Sequence, residues 1–282
     1  MASISDIYRN SRPEAQGRTR PNRVAILHGS KLPVVSGDVH QFLQKLFSPL
    51  NINVLSVSSL STDEKRNPTE ILPYDVVGLV GAPGEFSFLR SFRPKLDGPV
   101  ILAFTPKAQF SSAKSYLKIS NAVVLCEGPS DQWFSETARV VFSFFESIVV
   151  PSLLNIDVAD VRNIAKGIGL AFSEADNAPS NIISRLPVSC LVARSALLHF
   201  SCSDEVKLRE IYSISKTIAQ KQGVALPEEE LETHKDAIKL IRRVNVKMGI
   251  RIREGPRPFT WPHLDQQKGS SRISMTAILF GI

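Results

Sequence analysis

Asn155, Asp157 and Asp160 are grouped in one short stretch, PSLLNIDVADVRN, Pro151 to Asn163. Two carboxylates and a carboxamide at an exposed helix start can orient and polarise a water molecule, the work of a general base. The same residue types also begin helices. A short side-chain oxygen at Asn155 or Asp157 satisfies backbone N–H groups of the first turn, and an acid there suits the positive end of the helix dipole. Spacing alone leaves both roles open.

The flanking elements must position these groups. Upstream, Phe134 to Val150 reads as one long apolar helix. Before it come short apolar runs at Arg23–His28, Asn53–Leu60, Tyr74–Val80, Pro99–Thr105 and Asn121–Cys126. They alternate with expected helices: Val39–Leu50 capped by Asp38, Phe86–Phe92, and Lys107–Leu117. Strands apolar on both faces, alternating with helices, predict a parallel sheet covered on both sides. Thr62–Glu70 reads as a polar loop.

Downstream, the spacing predicts a helix over Val158–Gly167, with Gly167 and Gly169 as helix-end residues. A short strand near Ile168–Phe172 follows, then a helix over Ala178–Arg185 and a strand over Ser195–Cys202 containing a half-buried His199. Ser203 and Asp204 are expected to cap a helix over Glu205–Gln222. Asn245–Arg253 and Arg272–Ile282 read as strands, with an irregular loop over Pro256–Ser271. This half predicts a smaller α+β layer whose sheet is covered mainly on one side.

In parallel α/β sheets, ligands bind beyond the carboxyl ends of the strands. The loops there are poorly equipped for phosphate. Gly29, Ser30 and Lys31 follow the first strand, and Gly81 and Gly84 lie in GAPGEFS after the third. Neither loop fits the glycine-rich phosphate signatures. Pro83 removes a backbone donor, Glu85 places a negative charge where phosphates would lie, and Phe86 adds bulk.

Composition narrows the class. With 43% hydrophobic and 22% charged residues, the chain reads as a soluble globular protein with no apolar run of membrane-spanning length and no secretory signal, so cytoplasmic residence is expected. Cys126, Cys190 and Cys202 are too few and too scattered for a disulfide framework or zinc site. Glu228, Glu229, Glu230 and His234 read as a solvated helix start rather than a metal site. Net charge is +7, partly from Arg9, Arg12, Arg18, Arg20 and Arg23. That basic arm reads as a disordered tail, with weak nucleic-acid or membrane contact as its other reading.

The run PSLLNIDVADVRNIAKGIGLAF resembles the segment joining the two domains of FtsZ, the prokaryotic relative of tubulin. Asn155, Asp157 and Asp160 match the N-x-D-x-x-D of its synergy loop, and a looser similarity runs from about Val24 to Ile282. In that family the loop follows a long central helix and enters the nucleotide site of the next filament subunit, where its acids assist GTP hydrolysis. After the disordered arm over 1–22, the resemblance implies a degenerate GTPase-like, Rossmann-like parallel α/β domain over 23–133, a central helix over 134–150 and a smaller α+β domain over 151–282.

It also sharpens the departures. HGSK and GAPGEFS stand where the family carries glycine-rich phosphate loops, Ser135 with Glu136 beside it stands at the base-reading position, and CEGPSD lacks the expected asparagine. Ending at Ile282, the sequence shows no counterpart of the linker and tail peptide of bacterial members. The implied function is a cytoskeletal or cell-division protein with no cofactor of its own. It would dock through Asn155, Asp157 and Asp160 onto a nucleotide-bearing FtsZ-type filament, or onto its own kind, as regulator or cap. The alternative is a divergent self-polymerising GTPase that binds GTP through Gly29, Ser30, Lys31, Gly81 and Gly84. No Ser-His-Asp or Cys-His set offers another chemistry. Replacing Pro83, Glu85 and Phe86 together with glycine is expected to leave GTP turnover absent in a phosphate-release assay, because the first loop and the base-reading positions are altered too.

Overall fold

The computed structural model describes residues 22–29, 38–58, 71, 73–91, 98–127, 133–150, 152–187, 193–221, 246–252 and 272–281. Ser30, Lys31, Cys190, the 62–70 loop, the arginines of the arm at 9–20, the acidic stretch at 228–234 and the 256–271 loop lie outside them. The strands are β1 (Val24–His28), β2 (Asn53–Ser56), β3 (Val76–Val80), β4 (Val100–Pro106), β5 (Ala122–Cys126), β6 (Gly167–Asp176), β7 (Ser195–Cys202), β8 (Val246–Ile252) and β9 (Ile273–Phe280). The α-helices are α1 (Val39–Phe47), α2 (Ala113–Tyr116), α3 (Trp133–Val149), α4 (Val158–Ile164), α5 (Pro179–Ser184) and α6 (Leu208–Lys221).

Among the described residues, all strands join one nine-stranded sheet in the order β2-β1-β3-β4-β5-β6-β9-β7-β8. The pairs from β2 through β6 are parallel. β9 is antiparallel to both β6 and β7, and β8 is parallel to β7. The sheet therefore continues through the β5–β6 pair, across the long connection that carries α3 and α4.

Five-residue runs such as VAILH and VVGLV are buried along their whole length because both faces of the parallel half are covered. One face packs α1, α3 and α4 through Leu43, Leu46, Val141, Phe144, Phe145 and Val161. The opposite face is covered by the 3-10 segment Pro83–Ser91 and by α2, through Phe86, Leu89 and Tyr116. Gly78 in β3 allows the closest approach of α3: a Cβ there would lie 2.8 Å from the Phe145 ring.

In the other half, α5 and α6 cover one face of β6–β9 through Ile182, Ile211, Ile214 and Ile218. The other face is not bare. Leu197, Ile278 and Phe280 join the core built on α3 and α4, so the sheet is covered on both sides here as well. The central helix supplies the second cover, which a reading of the C-terminal half by itself could not include.

Several boundaries differ from expectation. α4 stops at Ile164, with Ala165 leaving the helical region at ψ 83°, and Gly167 already opens β6. β6 runs ten residues because Ser173–Asp176 continue the antiparallel ladder with β9 beyond the buried part. α6 begins at Leu208, where Glu210 folds back to accept from the Lys207 N–H at 2.7 Å; Ser203 and Asp204 lie ahead of the helix. The expected 107–117 helix is a 3-10 turn followed by the short α2. Gly169 is no helix end. It pairs with Phe280, and a Cβ there would lie 2.6 Å from that ring and 2.8 Å from the Leu279 carbonyl oxygen. Gly169→Ala is expected to destabilise the fold by about 1–3 kcal/mol, as overpacking against backbone does; urea unfolding measures it.

Candidate functional site

Asp157 is the N-cap of α4: it has extended backbone and its Oδ1 accepts from the Asp160 N–H at 2.6 Å. Asn155 holds the turn before it, its Oδ1 accepting from the Ser152 N–H at 3.0 Å and from the Ser152 hydroxyl. Asp160, in the first turn of α4, forms an ion pair with Lys247 Nζ at 2.6 Å. Asn155 and Asp157 are exposed and Asp160 is half-buried. The structure thus brings the three residues onto one short surface turn, with a structural partner for each.

Edge strand β8 is the seat of this turn. Leu153 N–H donates to the Ile250 carbonyl at 3.0 Å, and Ile250 N–H donates to the Leu154 carbonyl at 2.8 Å. Alternate residues of β8 meet the same neighbours. Lys247 reaches Asp160, Gly249 faces Ser147 and the Leu154 carbonyl, and Arg251 pairs with Glu146. Glu146 is buried and also lies 3.6 Å from the Nε2 of buried His199 in β7. The His199 expected in the sheet is therefore part of the joint between α3 and the C-terminal strands. Lys247, Arg251 and Glu146 were missed from the sequence; the available signal was K-x-G-x-R at strand spacing, which puts two cations on one face.

The second candidate region lies at the carboxyl ends of β1 and β3. Gly29 is buried and Gly81 half-buried; Gly29 N–H donates to the Val80 carbonyl at 2.9 Å. The Tyr116 hydroxyl donates to the Gly81 carbonyl. Burial pushes the Tyr116 phenol up to about 12, opposed by its side-chain contact with Thr105 and with the Glu85 charge adding to the rise. Gly84 is exposed and faces open space. Glu136, beside the base-reading position, is buried in a 2.6 Å ion pair with Arg139 one helical turn on. Among the described residues no His/Cys/Asp/Glu cluster could hold a metal ion.

The two regions lie at opposite ends of the sheet. α3 leaves the carboxyl end of β5 and returns to the amino ends, where Asn22 Nδ2 donates to the Ile148 carbonyl at 3.3 Å. Arg162 of α4 likewise donates to the carbonyl of Gly98, just before β4, at 2.9 Å. The 17 residues of α3 rise about 25 Å, which separates the acidic turn from the glycine loops.

This architecture, a parallel sheet joined by a long central helix to a mixed sheet half, is the FtsZ/tubulin-like fold. No family model matches the sequence. An empty FtsZ dimer from M. jannaschii is similar at 13% identity and a TM-score of 0.60, covering 99% of this chain and 93% of that one. The GTPγS-bound CetZ2 protofilament from Haloferax volcanii is similar at 13% identity and 0.53, covering 91% and 92%. TubZ from GDP-form protofilaments of Bacillus thuringiensis serovar israelensis is similar at 8% and 0.50, covering 92% and 83%. No helix among the described residues is long and apolar enough to cross a membrane.

A histidine chain borders the glycine loops. Gln44 donates to His40 Nε2 at 2.8 Å, His40 Nδ1 to His28 Nε2 at 2.9 Å, and His28 Nδ1 to the Gly29 carbonyl at 3.1 Å, with tautomers assigned from the network. Burial holds His28 below its ordinary value; the Gly29 carbonyl opposes this, His40 adds to it, and the Asp38 and Glu85 charges oppose it. The unfolded chain then binds more protons than the folded one, so this histidine makes stability rise with pH. The melting temperature is expected to fall as pH drops below 6.5, the ordinary histidine value, with a shallower slope in His28→Asn; scanning calorimetry across that range reads it.

Proposed function

We propose that this chain is an FtsZ-like cytoskeletal protein that adds head-to-tail to a nucleotide-bearing filament subunit through Asn155, Asp157 and Asp160. It would act without a nucleotide of its own. The observation that carries this reading is the separation of the acidic turn from the glycine loops along α3. A turn that cannot reach the loops of its own chain can serve only those of a neighbour. Unlike faces at opposite ends of one subunit are what a heterologous, filament-forming contact requires. Support for self-association also comes from the similar structures, an FtsZ dimer and a CetZ2 protofilament. Cytoplasmic residence and a role in division or cell shape, as regulator or filament cap, belong to the same reading.

Calorimetry with GTP and GDP is the first test: micromolar, stoichiometric binding by the purified chain would favour a divergent self-polymerising GTPase instead. The double variant Asp157→Asn, Asp160→Asn is the second. Asn caps a helix about as well as Asp. The half-exposed Asp160–Lys247 pair contributes at most about 1 kcal/mol, so stability should change little. GTP hydrolysis by a partner filament whose own loop is disabled should fall by about 10²–10⁴-fold, the usual cost of losing a water-positioning or basic group. Equal turnover with both chains would reduce the turn to a helix cap.

A further inference from the structure

We propose that Glu85 is a built-in anion that fills the position at the carboxyl ends of β1 and β3 where a phosphate group would lie. Its Oε2 accepts the Ala82 N–H at 3.0 Å, and its own N–H donates to the Ala82 carbonyl at 3.1 Å. A turn capped by its own carboxylate would need no more. The side chain goes further and reaches a different strand. A Cβ built on Gly29 would lie 2.6 Å from the Glu85 carboxyl carbon and 2.9 Å from Oε1, so the carboxylate rests directly on the Gly29 backbone. A Cβ on Gly81 would lie 3.1 Å from Oε2. Both glycines therefore keep the bare backbone that lets an oxyanion approach closely, and the oxyanion present belongs to residue 85.

The negative charge acts on its surroundings as a bound phosphate would. It pushes upward on His28, weakly and against the burial that keeps that histidine below its ordinary value, and upward on Tyr116, weakly and in the same direction as burial. A second anion brought to the same glycines would meet like-charge repulsion and an occupied donor. The space over Gly29 and Gly81 is thus filled rather than merely altered, which deepens the nucleotide-free reading proposed above and rests on it.

The test is calorimetric titration of the full chain with inorganic pyrophosphate and with GDP, comparing the intact protein, Glu85→Gln, Glu85→Ala, and Glu85→Ala combined with Gly29→Ala. The intact chain should bind neither. Glu85→Gln and Glu85→Ala should bind pyrophosphate at least about tenfold more tightly than the weakest binding the titration detects, one tenfold step being about 1.4 kcal/mol. The added Gly29 methyl should remove that gain by refilling the space. Ultraviolet titration of the tyrosines gives a readout independent of binding: in Glu85→Ala, the component lost in a Tyr116→Phe control should shift to lower pH. No gain in either Glu85 variant, a gain that survives Gly29→Ala, or an unmoved Tyr116 would each overturn the assignment of Glu85 while leaving the docking turn untouched. Tight GDP binding by the intact chain would overturn both this assignment and the nucleotide-free reading.

Discussion

The arrangement depends on how the carboxyl end of α3 is held. Glu146 is a buried carboxylate, and an unpaired buried charge costs several kcal/mol. Arg251 from β8 and His199 from β7 meet it, so the charge is tolerable only when helix and strands are docked together. That pairing fixes the last turns of α3 against the C-terminal sheet. The 152–157 turn leaves from there, which is why its bridge to Ile250 and the reach of Lys247 to Asp160 are geometrically available. Replacing Glu146 by an apolar residue would relieve the desolvation and leave the register of β8 to its ladder with β7, but it would lose the directional tie between α3 and Arg251.

The other end of α3 obeys an opposite constraint. At the carboxyl ends of β1 and β3 the backbone is bare at Gly29 and crowded at Gly81 by the neighbouring Gly29 amide, 2.9 Å from where a Cβ would stand. Such loops normally pay for their glycines by approaching a ligand. Here the turn 82–85 folds back and brings a carboxylate to the same backbone. The sheet supplies the glycine geometry in either case; one side chain decides what the geometry touches.

Much of this was legible in the sequence, for identifiable reasons. Short apolar runs such as PVILAFT, flanked by turn residues, fit a strand covered on both faces, so the parallel half follows from local composition. The cap at Asp157 is local too, because the donor is three residues away. Elements read wrongly are those decided at a distance. The strand expected near Ile168–Phe172 runs on through Ser173–Asp176 because β9 pairs with them. Gly169 looks like a helix end and is a space for Phe280. Lys247 and Arg251 lie in the strand expected over Asn245–Arg253, and only the return of α3 and α4 shows what they meet. Glu85 was legible as an unwelcome charge near phosphate loops, whereas its seat on Gly29, on a different strand, was not.

A head-to-tail polymer needs two unlike faces on every subunit, and each must be complete in the face it offers. The acidic turn is held by side-chain bonds at Ser152 and Asp160, by backbone bonds at Ile250 and by the α4 cap. Little conformational entropy remains to be lost there when a neighbour docks, and preorganisation of that kind favours association without new contacts. The opposite face gains nothing comparable from a neighbour if its anion position is already satisfied from within, because an incoming group would have to displace an internal bond to make an external one. On the reading proposed above, unequal faces would convert a polymer-forming geometry into a terminating one: such a subunit would join an existing end and make the next addition unfavourable. The difference between an ordinary filament subunit and a terminating one can therefore rest on a single loop at one end of the sheet, with the rest of the fold unchanged.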